Sequence, residues 1–217
     1  MLEFYNLNGW VLLKNIIPKK YTEKLKNISI SLIREISEKN LLGTKSPVGP
    51  YKFWEGIGCA SFFNEELFSF YTSDIMYEVA TTLLNSKIIY LYNDQIVYKV
   101  PEITSNLQFP EHTDNSLGPN KNNSIHTVNC ICVLDTFTEN NGPIEVYIKN
   151  GYKTILAEEG DILCIRGDTL HRSYPNQSAT PRGVYACVYT EYPLEYENYY
   201  TMKFPDTTTE RLCRRAR

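Results

Sequence analysis

Two histidines and an aspartate are the residues of this 217-residue sequence whose types and spacing could do chemistry together. His112 and Asp114 stand two residues apart in FPEHTDNSLG, and His171 lies far downstream in GDTLHRSYPN. The turn-forming residues around His112 explain a surface turn, but they do not explain a histidine in a sequence that has only three. Two neutral imidazoles and one carboxylate form the ligand set of non-haem Fe(II) sites, which leave coordination positions open for a co-substrate and O₂.

A fourth candidate residue, Arg182, begins the strand-like run RGVYACVYTEY eleven residues after His171. Alternation along a strand puts Arg182 on the same face as Val184, Ala186 and Val188. A guanidinium that lies in register with an apolar row is costly to bury unless it meets an anion. Paired hydrogen bonds to the distant carboxylate of a metal-bound co-substrate would meet that requirement.

The same alternation predicts that His112 and Asp114 share one face of their strand and that His171 and Ser173 share one face of theirs. Each histidine taken singly is more typical of an ordinary loop or strand residue than of a metal ligand. The prediction of a metal site therefore depends on these residues occurring together. The third histidine, His126, matches no motif, and we interpret it as structural.

These residues fall in motifs that resemble the phytanoyl-CoA dioxygenase-like family of Fe(II)/2-oxoglutarate oxygenases. HTD at 112–114 is similar to the HxD motif of that family, and the segment from His171 to Arg182 is similar to its distal signature, H-x-S-x-x-N-x-S-x-x-x-R. LNGWVLLKNIIPKKYTEKLKNI resembles the opening strand and helix of the family, and LDTFTENNGPIEV resembles its D…NG turn. The similarity runs in order over nearly the whole chain.

The resemblance implies that His112, Asp114 and His171 bind Fe(II), and that Arg182 and Ser173 anchor 2-oxoglutarate, with O₂ as the second co-substrate. It also implies roles for residues nearer the edge of the site: Lys99, Phe109 and Asn129 in the 2-oxoglutarate pocket, and Gln95 towards the primary substrate. For Lys99 an exposed position on a strand is an equally good interpretation.

The chain departs from the family pattern at two places. It reads VYIKNGYK where many members have PGSH after the NG turn, and it lacks the common aromatic residue around Ile131. The first departure does not involve the metal ligands. The second concerns the co-substrate pocket.

The implied reaction converts 2-oxoglutarate to succinate and CO₂ and hydroxylates an unactivated C–H bond. The length of the chain favours a small-molecule substrate over a large acyl-CoA. Desaturation or oxidative cyclisation by the same chemistry stays open, and Asp114 argues against halogenation, in which a small residue replaces the carboxylate. The alternative of another class is a cupin-like metal-binding or sensor protein without oxygenase activity, which has no need of an inward Arg182.

Two amphipathic helices are predicted in the first part of the chain, one after Pro18 and one that ends at Asn85. Their apolar stripes are Leu25, Ile28, Leu32 and Ile36 in the first helix, and Ile75, Val79 and Leu83 in the second. From residue 87 onwards, short β-branched and aromatic runs separated by Gly, Pro and Asn are typical of a sandwich or barrel.

The predicted fold is therefore mainly β with flanking helices, a double-stranded β-helix of the jelly-roll, cupin-like kind. We predict a single domain over residues 1–217, with helical elements mainly within 19–85, a β-core at about 87–192 and a mobile basic tail at about 205–217. Two polar segments, 43–58 and 115–124, are predicted to be loops. Trp54, with Tyr51 and Phe53, favours a substrate-binding role for the first loop, with plain surface irregularity as the alternative.

The bulk properties exclude several classes of protein. A net charge of −3 gives no support to binding of nucleic acid or of a membrane surface. No apolar run approaches the roughly 18 residues of a membrane span, and the absence of a secretory signal predicts a cytosolic protein. Four of the six cysteines lie in apolar, strand-like runs and are predicted to be reduced core residues, namely Cys130, Cys132, Cys164 and Cys187.

Overall fold

The computed structural model describes residues 1–39, 54–58, 60–99, 101, 109–117, 126–192, 195–196, 199–200 and 202–203. The helices within these ranges are α1 (Leu2–Asn8), α2 (Lys19–Lys39), α3 (Glu65–Tyr71), α4 (Asp74–Leu84) and α5 (Asp114–Leu117), with a 3₁₀ turn at Ala60–Phe62. The strands are β1 (Trp10–Leu13), β2 (Trp54–Gly58), β3 (Tyr90–Lys99), β4 (Phe109–His112), β5 (Thr127–Val133), β6 (Ile144–Ile148), β7 (Gly151–Thr154), β8 (Ile162–Arg166), β9 (His171–Ser173), β10 (Arg182–Thr190), β11 (Glu195–Tyr196), β12 (Tyr199–Tyr200) and β13 (Met202–Lys203).

Two antiparallel sheets face each other and enclose one apolar core. The larger sheet has the order β1-β8-β5-β10-β3-β13, with β2 also paired to β3, and the smaller sheet has the order β4-β9-β6-β7. The core between the sheets takes side chains from both, among them Ile131, Val184 and Ala186 from the larger sheet and Ile144 and Val146 from the smaller. The predicted jelly roll is confirmed.

A second apolar layer lies on the other face of the larger sheet, where the helices pack. Strand β10 shows how the two layers share one strand, because all nine of its residues are buried. Val184 and Ala186 belong to the core between the sheets, whereas Tyr185, Cys187 and Tyr189 belong to the layer under the helices. The strand period of two therefore produces one wholly buried strand with two different faces.

The two helices predicted from the sequence are present as α2 and α4. Helix α4 starts after Ser73, whose hydroxyl accepts a hydrogen bond from the backbone N–H of Met76, and it ends at Asn85 in the left-handed conformation. The predicted stripe of α4 is wrong at Ile75, which is exposed. The neighbouring Met76 is buried in its place, because the face that packs on the sheet is turned by one residue.

The cysteine prediction is confirmed for the four cysteines in strands. Cys130, Cys132, Cys164 and Cys187 are buried and free. They lie in the layer under the helices, on the side of the larger sheet that faces away from the core between the sheets.

The predicted loop at 43–58 is wrong at its C-terminal end, because residues 54–58 form β2. Trp54 is the first residue of this strand and the cross-strand partner of Lys99, so it belongs to a regular element. The prediction of a loop at 115–124 is wrong for residues 115–117, which belong to α5. Residues 40–53 and 118–125 lie outside the described ranges, as do Tyr51 and Phe53.

The start of the chain holds the opening strand that the family resemblance implies, together with a helix that was not predicted. Helix α1 and strand β1 precede residue 19, and β1 forms one edge of the larger sheet through its pairing with β8. The basic tail at 205–217 lies outside the described residues. In the part of the chain that the structure describes, no helix is both long and apolar enough to cross a membrane.

Candidate metal centre

The two candidate ligand histidines lie side by side on neighbouring strands of the smaller sheet. His112 ends β4, His171 begins β9, and the two residues are direct cross-strand partners. Asp114 Oδ1 lies 3.8 Å from His112 Nε2 and 3.7 Å from His171 Nε2. One ligand atom from each of the three residues lies within 4.8 Å of the others, and no other group of three His, Cys, Asp or Glu in the described residues does so.

The position of Asp114 differs from the sequence prediction. It does not continue the strand of His112 but begins α5, a helix of four residues. A strand places residues i and i+2 on one face, whereas here the chain turns after His112 and brings the carboxylate round to both histidines. The three residues meet as predicted, but through a strand end and a helix start rather than through one strand face.

Backbone carbonyl groups fix the orientation of both imidazole rings. His112 Nδ1 donates to the carbonyl oxygen of Pro110 at 2.7 Å, and His171 Nδ1 donates to that of Thr169 at 3.0 Å. Because a carbonyl oxygen can only accept, the proton of each neutral ring lies on Nδ1 and the Nε2 lone pair is left for a metal. Burial, and then the neighbouring His171, lower the pKa of His112 below its ordinary value, which favours the neutral form that a ligand needs.

The carboxylate has a partner of its own on the central strand β5. The side-chain amide of Asn129 donates from Nδ2 to Asp114 Oδ2 at 3.0 Å. The other oxygen, Oδ1, is the one that lies near both histidines. Asn129 is thus placed beside a candidate metal ligand.

A pair of buried cations lies at the ends of β3 and β10. Lys99 and Arg182 are direct cross-strand partners, and their exposed fractions are 4% and 2%. The alternative of an exposed Lys99 is therefore wrong, whereas the predicted inward Arg182 is confirmed as buried. Neither residue forms a salt bridge within the described part of the chain. Burial lowers the pKa of Arg182 to about 10.

The guanidinium of Arg182 is only partly satisfied by the protein. It stacks over the ring of Phe137, with 4.7 Å between its central carbon and the ring centroid, and it donates to the carbonyl oxygen of Gly142. Its Nε is buried with no hydrogen-bond partner among the described residues. A buried donor without a partner is costly, so this guanidinium is suited to an incoming anion.

The ammonium group of Lys99 reaches the segment that follows β9. It donates to the carbonyl oxygen of Tyr174 and lies 5.5 Å from the ring centroid of Phe109. Burial lowers the pKa of Lys99 well below its ordinary value, and the charge of Arg182 lowers it further. Two buried cations on neighbouring strands repel each other, and a bound carboxylate would relieve that repulsion.

Ser173 and Phe109 lie on the same two strands as the candidate ligands His171 and His112, and they are cross-strand partners on β9 and β4. Ser173 follows His171 by two residues, so that His171 and Ser173 both face inward, and both are buried. His171, Ser173 and Tyr174, whose carbonyl oxygen accepts from Lys99, thus follow one another along a single short segment of chain.

The predicted substrate-side residues lie on the strands beside the cation pair. Gln95 is half-buried on β3, opposite Ala186, on the face that also carries Val97 and Lys99. The backbone of Trp54 pairs with that of Lys99 at the edge of the larger sheet. Gln95 therefore faces the inside of the jelly roll, and Trp54 lies at its rim.

Sequence reasoning missed several groups that complete this site. They are backbone carbonyl groups, at Pro110, Thr169, Gly142 and Tyr174, and the ring of Phe137 beneath the guanidinium. Every residue has a carbonyl group, so no pattern in the sequence could single these out. His126 takes no part in the site: it is 66% exposed and pairs with Glu191 at 2.8 Å.

Solved structures with the same fold are numerous, although their sequences differ widely from this one. SnoK, a non-heme alpha ketoglutarate dependent carbocyclase from nogalamycin biosynthesis, is 16% identical with a TM-score of 0.73, over 88% of this chain and 83% of its own. EvdO2 from Micromonospora carbonacea var. aurantiaca, complexed with 2-oxoglutarate, is 14% identical with a TM-score of 0.69, over 90% of this chain and 91% of its own. The epimerase SnoN, in complex with Fe3+, alpha ketoglutarate and nogalamycin RO, is 12% identical with a TM-score of 0.68, over 88% of this chain and 82% of its own.

These similarities show the fold of the chain. The neighbours are iron and 2-oxoglutarate enzymes on a jelly roll, and this chain has the same jelly roll. No protein-family model matches the sequence, and no curated protein matches it either.

Proposed function

We propose that the protein is a non-haem Fe(II)- and 2-oxoglutarate-dependent oxygenase of the phytanoyl-CoA dioxygenase-like kind, which hydroxylates an unactivated C–H bond of a small molecule. The observation that carries this proposal is the combination, inside one jelly roll, of the His112–Asp114–His171 group with the buried pair of Lys99 and Arg182. A metal-binding cupin needs the first of these features but has no use for the second.

The donor set fits Fe(II). Both imidazoles present an unprotonated Nε2, and Asp114 presents one oxygen while Asn129 engages the other. Two nitrogen donors and one carboxylate leave open positions on an iron centre. Fe(II), 2-oxoglutarate and O₂ supply the oxidising chemistry when bound together, with succinate and CO₂ as products of the co-substrate.

The residues of the protein bind and orient the co-substrate. Arg182 and Lys99 hold its distant carboxylate, Ser173 adds a hydroxyl group, and Phe109 covers the ammonium end of the pocket. Lys99 and Arg182 are both buried, so water is largely excluded from them and each of their charge–charge contacts is stronger than it would be in solvent. The two cations also provide a reason for a dicarboxylic co-substrate, because one carboxylate can bind the metal and the other can bind the cations.

Gln95, which faces the inside of the jelly roll, and Trp54, in the edge strand of the larger sheet, would contact the primary substrate. SnoN was crystallised with nogalamycin RO, which supports a small-molecule substrate for a jelly roll of this kind. SnoK is a carbocyclase, and its likeness to this chain supports oxidative cyclisation as the second candidate reaction. A cytosolic location and a single domain stay predictions from the sequence.

A screen of small metabolites for succinate formation tests this function. The purified protein is incubated with Fe(II), 2-oxoglutarate and O₂, and the succinate formed with and without each compound is measured. We expect a compound that stimulates succinate formation in the wild type but not in His112→Ala. A wild type that binds neither Fe(II) nor 2-oxoglutarate would overturn the proposal.

A further inference from the structure

We infer that Asn129 is a positioning residue of the metal centre: its side-chain amide orients the Asp114 carboxylate, and it does not contact the distant carboxylate of 2-oxoglutarate. This inference rests on the proposed function, since it takes His112, Asp114 and His171 as metal ligands. It departs from the role in the co-substrate pocket that the family resemblance implies for Asn129.

The direction of the hydrogen bond follows from its partner. An ionised carboxylate can only accept, so the atom of Asn129 that lies 3.0 Å from Asp114 Oδ2 is the amide nitrogen. A carboxylate can otherwise rotate about its last side-chain bond and present either oxygen. With Oδ2 engaged by Asn129, Oδ1 is the oxygen that faces both histidine Nε2 atoms.

The stability of the fold does not explain an asparagine at this position. Asn129 lies on a strand whose seven residues are all buried, between its cross-strand partners Val188 and Ile165. Its Oδ1 is buried and has no hydrogen-bond partner among the described residues. A buried acceptor without a donor destabilises the folded state, whereas a leucine of similar shape would not. The amide is therefore present for its one contact, which is with Asp114.

The position of Asn129 also separates it from the distant co-substrate carboxylate, which the cation pair would hold. Its partner on β10 is Val188, six residues beyond Arg182 (188 minus 182). A strand advances by about 3.3 Å per residue, so the two positions are roughly 20 Å apart along β10. Asn129 thus lies towards the other end of the inner face from the cation pair.

The test is the substitution Asn129→Leu, with Co(II) alone as the probe metal. Partners of metal ligands typically change metal affinity by about 10- to 100-fold when they are removed, and we expect a loss in this range for the Co(II) dissociation constant measured by titration calorimetry. The Co(II) absorption spectrum should also change, because Asp114 is free to bind through either oxygen. The thermal midpoint of the metal-free variant should equal that of the wild type or exceed it.

A matched control is Asn141→Leu. The amide of Asn141 is satisfied at both ends, since Nδ2 donates to the carbonyl oxygen of Thr136 at 2.8 Å and Oδ1 accepts from the N–H of Thr138 at 2.9 Å. This variant should lower the metal-free thermal midpoint and leave the Co(II) affinity unchanged. Asn129→Thr, which keeps a hydroxyl donor on the strand, should retain more of the Co(II) affinity than Asn129→Leu.

The outcomes separate this inference from the proposed function. If wild type and His112→Ala bind Co(II) equally, the metal centre itself is wrong. If His112→Ala loses Co(II) while Asn129→Leu binds it as the wild type does, only the role of Asn129 is overturned. A fall in the metal-free midpoint of Asn129→Leu as large as that of Asn141→Leu would make Asn129 a structural residue and would overturn the inference as well.

Discussion

Lys99 pairs directly with Arg182 across β3 and β10, so two buried cations lie next to each other with no ionic partner in the described part of the chain. An arrangement of this kind destabilises a protein unless an anion binds to it. The relationship therefore connects the stability of the ligand-free protein with the affinity for a carboxylate, and the two can be measured separately.

Loss of the guanidinium should weaken binding of 2-oxoglutarate and spare the metal. Removing one partner of a desolvated charge pair costs on the order of 2–5 kcal/mol, which corresponds to roughly 30-fold to several-thousand-fold in affinity. Arg182→Ala should therefore raise the dissociation constant for 2-oxoglutarate by at least about thirtyfold, while Co(II) binding is retained. Arg182→Lys should recover only part of the loss, because an ammonium group lacks the planar fork. Unchanged 2-oxoglutarate binding in Arg182→Ala would favour the metal-binding cupin.

The depressed pKa of Lys99 should appear in the pH dependence of stability. Burial, and then Arg182, lower its pKa in the folded protein below the ordinary value of 10.5, whereas the unfolded chain keeps that value. Between the two pKa values the unfolded chain binds one more proton at Lys99, so the free energy of unfolding of the ligand-free protein rises with pH across this window. Lys99→Met should remove this contribution and raise the stability at neutral pH. Urea unfolding at several pH values up to about 9.5 measures both effects, and parallel pH profiles for wild type and variant would contradict them.

The same substitution should act in the opposite direction on the co-substrate. A carboxylate attracts the charged form of Lys99, so Lys99→Met should bind 2-oxoglutarate more weakly than the wild type although its fold is more stable. Calorimetric titration with 2-oxoglutarate measures the binding, and the urea unfolding curves measure the stability; the two should change in opposite directions. A variant that is less stable and binds 2-oxoglutarate normally would show that Lys99 serves the fold.

Alanine substitutions at the three proposed ligands should weaken metal binding, whereas alanine at the remaining histidine, His126, should not. His112→Ala, Asp114→Ala and His171→Ala should each weaken Co(II) binding strongly, because each removes a donor atom from one group. His126→Ala is the matched control, since His126 is exposed and pairs with Glu191 away from that group. Titration with Co(II) measures all four, and equal affinities throughout would refute the metal centre.

A methyl group at Gly142 should disturb the surroundings of Lys99 and Arg182. Gly142 has φ +70, and a Cβ there would lie 2.4 Å from the carbonyl oxygen of Tyr174 and 3.1 Å from Cδ of Lys99. Gly142→Ala should therefore lower the thermal midpoint and weaken 2-oxoglutarate binding together. Gly151→Ala is the control for backbone strain alone, because Gly151 also has positive φ, at +121, but nothing lies within 4 Å of its Cβ position. This control should lose stability without losing 2-oxoglutarate affinity.

The sequence by itself predicted the fold class and the side chains of the candidate metal centre and anchor. Alternation along β10 predicted that Arg182 shares a face with Val184 and Ala186, because the strand period of two is a local property of the backbone. The spacing of HTD and of the segment from His171 to Arg182 identified the candidate ligands and the anchor. These patterns need no knowledge of which strands are neighbours.

The tertiary structure alone decided which of these residues meet and through which atoms. The turn that carries Asp114 from the end of β4 into α5, the burial of Lys99 and the strand that begins at Trp54 all depend on contacts between distant segments. The hydrogen bond from Asn129 to Asp114 and the carbonyl partners of Lys99 and Arg182 have the same origin. Strand register and the approach of one sheet to the other are set by the packing of the whole core, so no local pattern in the sequence can specify them.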